Sequence, residues 1–193
     1  MTLPHSSDQP SPWVARFAAL IPAGEVLDLA CGRGRHARLL AGRKHPVLAV
    51  DRDGEALAAI AGNGIRTQQL DLEIGAGEGP EWPLQGGRFA GIVVANYLYR
   101  PLLAQLLASL APGGVLIYET FARGNERYGK PSNPDFLLLP GELLQAARSA
   151  RPEPLRVVAF EEGHIETPKP AVVQRICAVR PVSADFAAHL PPI

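Results

Sequence analysis

VLDLACGRGRHA, residues 26 to 37, carries a conflict that the rest of the chain must resolve. Val26 to Ala30 reads as a buried strand, yet Asp28 sits in its middle. Gly32-Arg33-Gly34 follows at once, and the spacing of Ala37, Leu40 and Ala41 then predicts a helix over Arg35 to Arg43. A strand, a glycine turn and a helix in that order form a ligand cradle. Glycines let a ligand approach the backbone, and the helix start offers free N–H groups.

The pattern recurs outward from this stretch. Strands are expected at Glu25 to Ala30, Pro46 to Val50, Ile65 to Leu70, Phe89 to Ala95 and Val115 to Tyr118. Helices are expected between them at Arg35 to Arg43, Glu55 to Ala61 and Leu102 to Leu110. A further helix begins at Pro12 behind a Ser11 cap, with Trp13, Phe17, Leu20 and Ile21 on one face. Pro112-Gly113-Gly114 should turn the chain into the fifth strand, and 75–87 should be a Gly- and Pro-rich loop. A last helix is expected at Gly141 to Ala150, before two strands at Leu155 to Phe160 and Val172 to Val179. Alternating apolar strands and helices mean a parallel sheet covered on both faces. The last two strands have no helix between them, so one should run antiparallel.

The expectation is one domain over 1–193, with a tail at 1–10 and a long loop at 122–140. Loops of that length are usually functional or disordered. The chain has 193 residues and equal numbers of basic and acidic side chains. That balance disfavours a nucleic-acid or anionic-membrane partner. No apolar run reaches membrane-spanning length, and MTLPHSSDQPSP has no signal-peptide character, so a cytoplasmic location is expected. Cys31 and Cys177 lack zinc or redox spacing and read as buried thiols. No cluster has metal-ligand spacing, and no metal is expected.

Two ligands compete for the glycine turn. Gly32, Gly34 and Ala37 satisfy a loose dinucleotide fingerprint, with Asp51 about twenty residues on. A carboxylate below the turn would repel a pyrophosphate. Burying one is costly without a partner. Asp28 therefore points to a cationic ligand, carrying an ammonium or sulfonium group.

The residues then meet a family. VLDLACGRGRH resembles the first motif of class I S-adenosylmethionine-dependent methyltransferases, with Ala30 where the family usually has its first Gly. VLAVDRD, QQLDLE, GIVVANYLY and LAPGGVLIYETF are similar to that family's later segments, in order over residues 25 to 121. The resemblance implies an α/β, Rossmann-like fold with a mostly parallel seven-stranded sheet, and S-adenosylmethionine as cofactor. More narrowly, the short chain with paired final strands resembles small bacterial TehB-like methyltransferases of the tellurite-resistance type.

By the resemblance, Asp51 holds ribose hydroxyls, beside Arg52, and Asp71 contacts the adenine amino group, beside Leu72. Asp28, Ala30, Cys31, Gly32, Arg33 and Gly34 form the turn, with Arg33 and Arg35 near the cofactor carboxylate. His36 reaches the cofactor's carboxyl end or a substrate, and Asn96 and Tyr97 border the methionine portion. Asn96, Tyr99 and Arg100 are the candidate catalytic residues, the last two orienting a substrate. Asn125, Arg127, Tyr128 and Lys130 equip 122–140 as a lid or substrate loop. His164 and Glu166 read as loop residues. The implied reaction is methyl transfer to a small molecule, driven by proximity and orientation. A non-catalytic cofactor-binding module and, less well supported, an NAD-dependent dehydrogenase are the alternatives.

Overall fold

The computed structural model describes residues 8–73, 82–84 and 88–183. Most of the expected 75–87 loop and the first residues of the expected tail lie outside them. Strands β1 (Val26–Leu29), β2 (Val47–Asp51), β3 (Ile65–Gln69), β4 (Phe89–Ala95), β5 (Leu110–Phe121), β6 (Arg156–Ile165) and β7 (Ala171–Val179) form one sheet. Their order is β3-β2-β1-β4-β5-β7-β6. The first five pair in parallel, and β7 runs antiparallel to both β5 and β6.

Strand alternation sorts the side chains into two apolar layers. Val26, Val47, Val93 and Ile117 face helices α1 (Pro12–Phe17), α2 (Arg35–Gly42) and α3 (Gly54–Ala58). Leu27, Val50, Ile92 and Leu116 face α4 (Leu103–Ala108) and α5 (Glu142–Ser149). The helix starts follow ordinary chemistry. The Ser11 hydroxyl accepts from the Trp13 N–H (3.1 Å), with Pro12 in the first turn, and Asp53 accepts from the Ala56 N–H. The helix stripe is shorter than its periodicity suggests, because Ala18–Leu20 tightens into a 3₁₀ turn.

Two elements depart from expectation. Pro112-Gly113-Gly114 is an excursion inside β5, since Phe89 pairs with Leu110 but Gly91 pairs with Val115. Gly113 takes φ +78° there, and its N–H donates to the Arg180 carbonyl (2.8 Å). Strand β6 also runs on past Phe160 to Ile165, so Gly163 and His164 lie in the strand.

The glycine turn is set by packing as well as by φ. Gly34 has φ +70°, and a Cβ there would stand 2.5 Å from Ile60 Cδ1. A left-handed residue with a side chain costs about 1 kcal/mol or more, and overpacking adds to it. Gly34→Ala should lose about 2 kcal/mol in urea unfolding, and a loss of only about 1 kcal/mol would show that Ile60 swings aside and leaves the backbone strain alone.

Candidate active site

The sheet order reverses between β1 and β4, and ligands in such sheets bind at this switch point, beyond the strands' carboxyl ends. Both strands end in the same unusual way. Ala30 after β1 has φ +53°, and Asn96 after β4 has φ +59°. Non-glycine residues seldom adopt this conformation, and such outliers gather at functional sites. The two turns splay the chains apart and open a cleft of about 390 Å³. Ala30, Asp51, Arg52, Asp71, Leu72, Asn96 and Tyr97 line it, together with Leu70, Glu73 and Phe136.

Asp51 organises the cleft. Its Oδ2 accepts from the Gly32 N–H (2.7 Å) and its Oδ1 from the Asp53 N–H (3.0 Å). A carboxylate has about four acceptor positions, so two remain for ligand hydroxyls. Gly32 therefore acts through Asp51, clipping the turn of β1 onto the end of β2. The Asp71 Oδ1 accepts from the Glu73 N–H (3.0 Å). The Tyr97 hydroxyl is buried without a partner among the described residues, and burial, with Glu73 and Asp71 adding, pushes its pKa up. Three carboxylates and one arginine line this cleft, a poor site for a pyrophosphate and a good one for hydroxyls and a cation.

Several expected site residues lie elsewhere. Asp28 is paired in register with Ala49 and Val93 and faces the α1–α2–α3 layer, away from the cleft wall. It is 1% exposed, and its Oδ2 has no partner among the described residues. Burial raises its pKa to about 7, while the Ala37 N–H and Arg35 pull it down. Direct contact between Asp28 and a ligand is thus corrected to a buried carboxyl one layer beneath the turn. His36 is buried too, and its Nε2 accepts from the Ser11 N–H (3.1 Å). Burial and Arg35 lower its pKa to about 3, so it is a neutral tie to the N-terminal segment and not a cofactor contact. Cys31 is a buried free thiol, as is Cys177, and neither Cys31 nor Gly34 borders the cleft. Arg33 is exposed, and its carbonyl is held by Arg38.

Of the three candidate catalytic residues only Asn96 borders the cleft. Tyr99 packs against the α4–α5 apolar layer, with its hydroxyl enclosed. Arg100 is neither free nor aimed at a substrate. Its Nε and Nη2 form a fork on Glu142 (2.6 and 2.8 Å), and Nη1 and Nη2 donate to the carbonyls of Asp135 and Leu137. The fork fixes a 3₁₀ turn, Pro134–Phe136, and with it Phe136 in the cleft lining. In the same loop Asn125 is buried, donating to the Pro131 carbonyl and accepting from the Val172 N–H, so it pins the chain instead of meeting a ligand. Phe136 carried no local signal in the sequence, because Arg100 and Glu142 bring it to the site from distant positions.

A second cavity, of about 510 Å³, shares Asn96 with the first. It lies between the segment before α1, the end of β5 and the β6–β7 hairpin.

Residues 26–114 match the family model described as a methyltransferase domain. Over 102 residues the chain is 32% identical to trans-aconitate 2-methyltransferase of Rhizobium meliloti (strain 1021), covering 50% of this chain and 38% of that protein. TehB from Haemophilus influenzae superimposes with a TM-score of 0.68 at 17% identity, over 93% of this chain and 63% of that one. This is the class I methyltransferase fold. A TehB-like S-adenosylmethionine-dependent methyltransferase from Corynebacterium glutamicum ATCC 13032 shares it, with a TM-score of 0.58 at 22% identity over 87% of each chain. The chain spans under two fifths of the length of the curated relative it matches. These likenesses show the fold, and the cleft sits at the switch point where sheets of this kind bind their ligands.

Proposed function

We propose that this chain is a single-domain methyltransferase that uses S-adenosylmethionine and transfers the methyl group to a small molecule. The observation that carries the reading is Asp51, clipped to the glycine turn, with acceptor capacity to spare and a place in the lining of a cleft at the switch point. Asp51 would take the ribose hydroxyls, and Asp71 with Leu72 would border the base. Arg52 and Tyr97 complete the walls. Phe136, on the 122–140 segment, would close over the bound cofactor. The trans-aconitate enzyme is named for a small-molecule acceptor, which favours that class here.

Held by Asp51, Asp71 and Leu72, the cofactor would supply an electrophilic methyl carbon on a cationic sulfur leaving group. The chain's part is to hold two reactants in line, which can supply much of a rate enhancement. Asn96 stands between the two cavities and is the residue placed to orient both. Neither cavity holds a nucleophile–base pair, and an acceptor thiol, amine or oxyanion needs none.

Titration with S-adenosylhomocysteine to a hundredfold excess over its dissociation constant should stabilise the protein by about 2.7 kcal/mol. For a chain of this size that raises Tm by about 5 to 11 °C. Asp51→Ala should weaken that binding by roughly 30- to 150-fold, the effect of losing about 2–3 kcal/mol of charged hydrogen bonds. A shift produced by NAD alone, or an Asp51→Ala variant that binds normally, would overturn the reading.

A further inference from the structure

The second cavity has walls of one kind and a flank of another. Phe121 at the end of β5, Ile165 on β6 and Val173 on β7 give it an apolar wall. Its charged borders are Arg35, Lys169, Arg175 and Glu119. Two of these neutralise each other. Arg175 Nε lies 3.3 Å from Glu119 Oε2, and its Nη1 lies 3.5 Å from Glu161 Oε2. The Glu119 carboxylate is therefore engaged by a guanidinium that also faces Glu161.

The other pair is less compensated. Arg35 Nη1 reaches the Gln9 carbonyl at 3.4 Å, and the guanidinium acts on the buried Asp28 carboxyl without forming an ion pair among the described residues. The Lys169 ammonium is exposed and has no partner among the described residues. Arg35 comes from the start of α2 and Lys169 from the β6–β7 hairpin, so two distant segments bring cations to the same cavity. An apolar pocket with a few convergent polar groups is the usual form of a small-molecule site.

We infer that this cavity takes the methyl acceptor, and that the acceptor is an apolar small molecule bearing one acidic group. The inference rests on the methyltransferase reading for the word acceptor, but the ligand class rests on this cavity alone. The apolar body lies against Phe121, Ile165 and Val173, and the anion faces Lys169 and Arg35. The end nearest Asn96 carries the atom to be methylated.

The test is calorimetric titration of three matched probes into protein saturated with S-adenosylhomocysteine: 2-naphthoate, 2-naphthamide and 2-naphthylmethylammonium. The acid should bind at least tenfold more tightly than either of the others. Lys169→Met should weaken the acid about five- to tenfold while leaving the amide and S-adenosylhomocysteine within twofold. Ile165→Trp, which fills the cavity, should abolish binding of the acid and spare S-adenosylhomocysteine. Equal binding of the three probes, none at millimolar concentration, or displacement of S-adenosylhomocysteine by the acid would overturn the inference. Failure of S-adenosylhomocysteine itself to bind would instead strike the methyltransferase reading, and the probes titrated into the protein alone would still decide the ligand class.

Discussion

Arg100→Ala is expected to lower stability by about 2–4 kcal/mol and to weaken S-adenosylhomocysteine binding at the same time. The side chain makes a two-pronged contact with Glu142 and holds the carbonyls of Asp135 and Leu137. Glu142 is left with its Leu139 N–H contact once the guanidinium goes. Burial pushes the Glu142 carboxyl up, yet Arg100 and the Leu139 N–H outweigh it and hold it below the usual range. Arg100 is itself about a third exposed, so solvent softens the loss and the lower part of the range applies if the loop relaxes. The Tm should fall by about 4–16 °C. Limited proteolysis should cut the variant between 131 and 139 and spare the parent. Arg100→Lys keeps the charge but not the planar fork, and should recover less than half of either loss. A variant that cleaves like the parent and binds cofactor product normally would show that Phe136 is held by something else.

Asp28→Asn should stabilise the protein, and by an amount that depends on pH. The folded-state pKa is raised from 3.8 to about 7, chiefly by burial. A raised carboxyl favours folding only while it is protonated. Its contribution is complete below the unfolded value and is lost as pH climbs through the folded one. The advantage of the amide therefore grows from about pH 4 to pH 7 and is flat above, reaching about 4 kcal/mol at most. His36 works in the opposite sense. Its folded pKa is lowered from 6.5 to about 3, so its contribution is complete above 6.5 and is lost as pH falls towards 3. Between pH 4 and 6.5 the two slopes oppose each other, and the parent's own profile is flattened. The difference between variant and parent, measured by urea unfolding from pH 4.5 to 8.5, isolates Asp28. A difference that does not change with pH would mean that the buried carboxyl is solvated in the folded protein.

The sheet and its helices were legible because their signals are local. An apolar run such as Phe89 to Ala95, bounded by turn residues, has few other places to go, and it forms β4 to the residue. Asp51, Asp71, Leu72 and Asn96, singled out through the resemblance, all line the cleft, since each sits at or just past the end of a strand and strand ends meet at one edge. Side-chain direction was not legible to the same degree. Asp28 belongs to the motif, but strand alternation turns it towards Ala49 and Val93, on the side opposite to Leu27 and Leu29. Arg100 misled because its partners at 135, 137 and 142 lie far along the chain, and nothing near it in sequence announces them. The second cavity escaped notice for the same reason: its walls come from residues 9–12, 35, 119–121 and 165–175, which only the finished fold assembles.

Asn96, held at φ +59°, borders both cavities at once. Two ligands that press on one peptide do not bind independently. Whatever factor an occupant of the larger cavity adds to affinity in the smaller one, the reverse effect must have the same size. An affinity measured for either ligand alone is then one side of a thermodynamic square. The order in which the two arrive changes the route around that square and leaves the free energy of the ternary complex untouched.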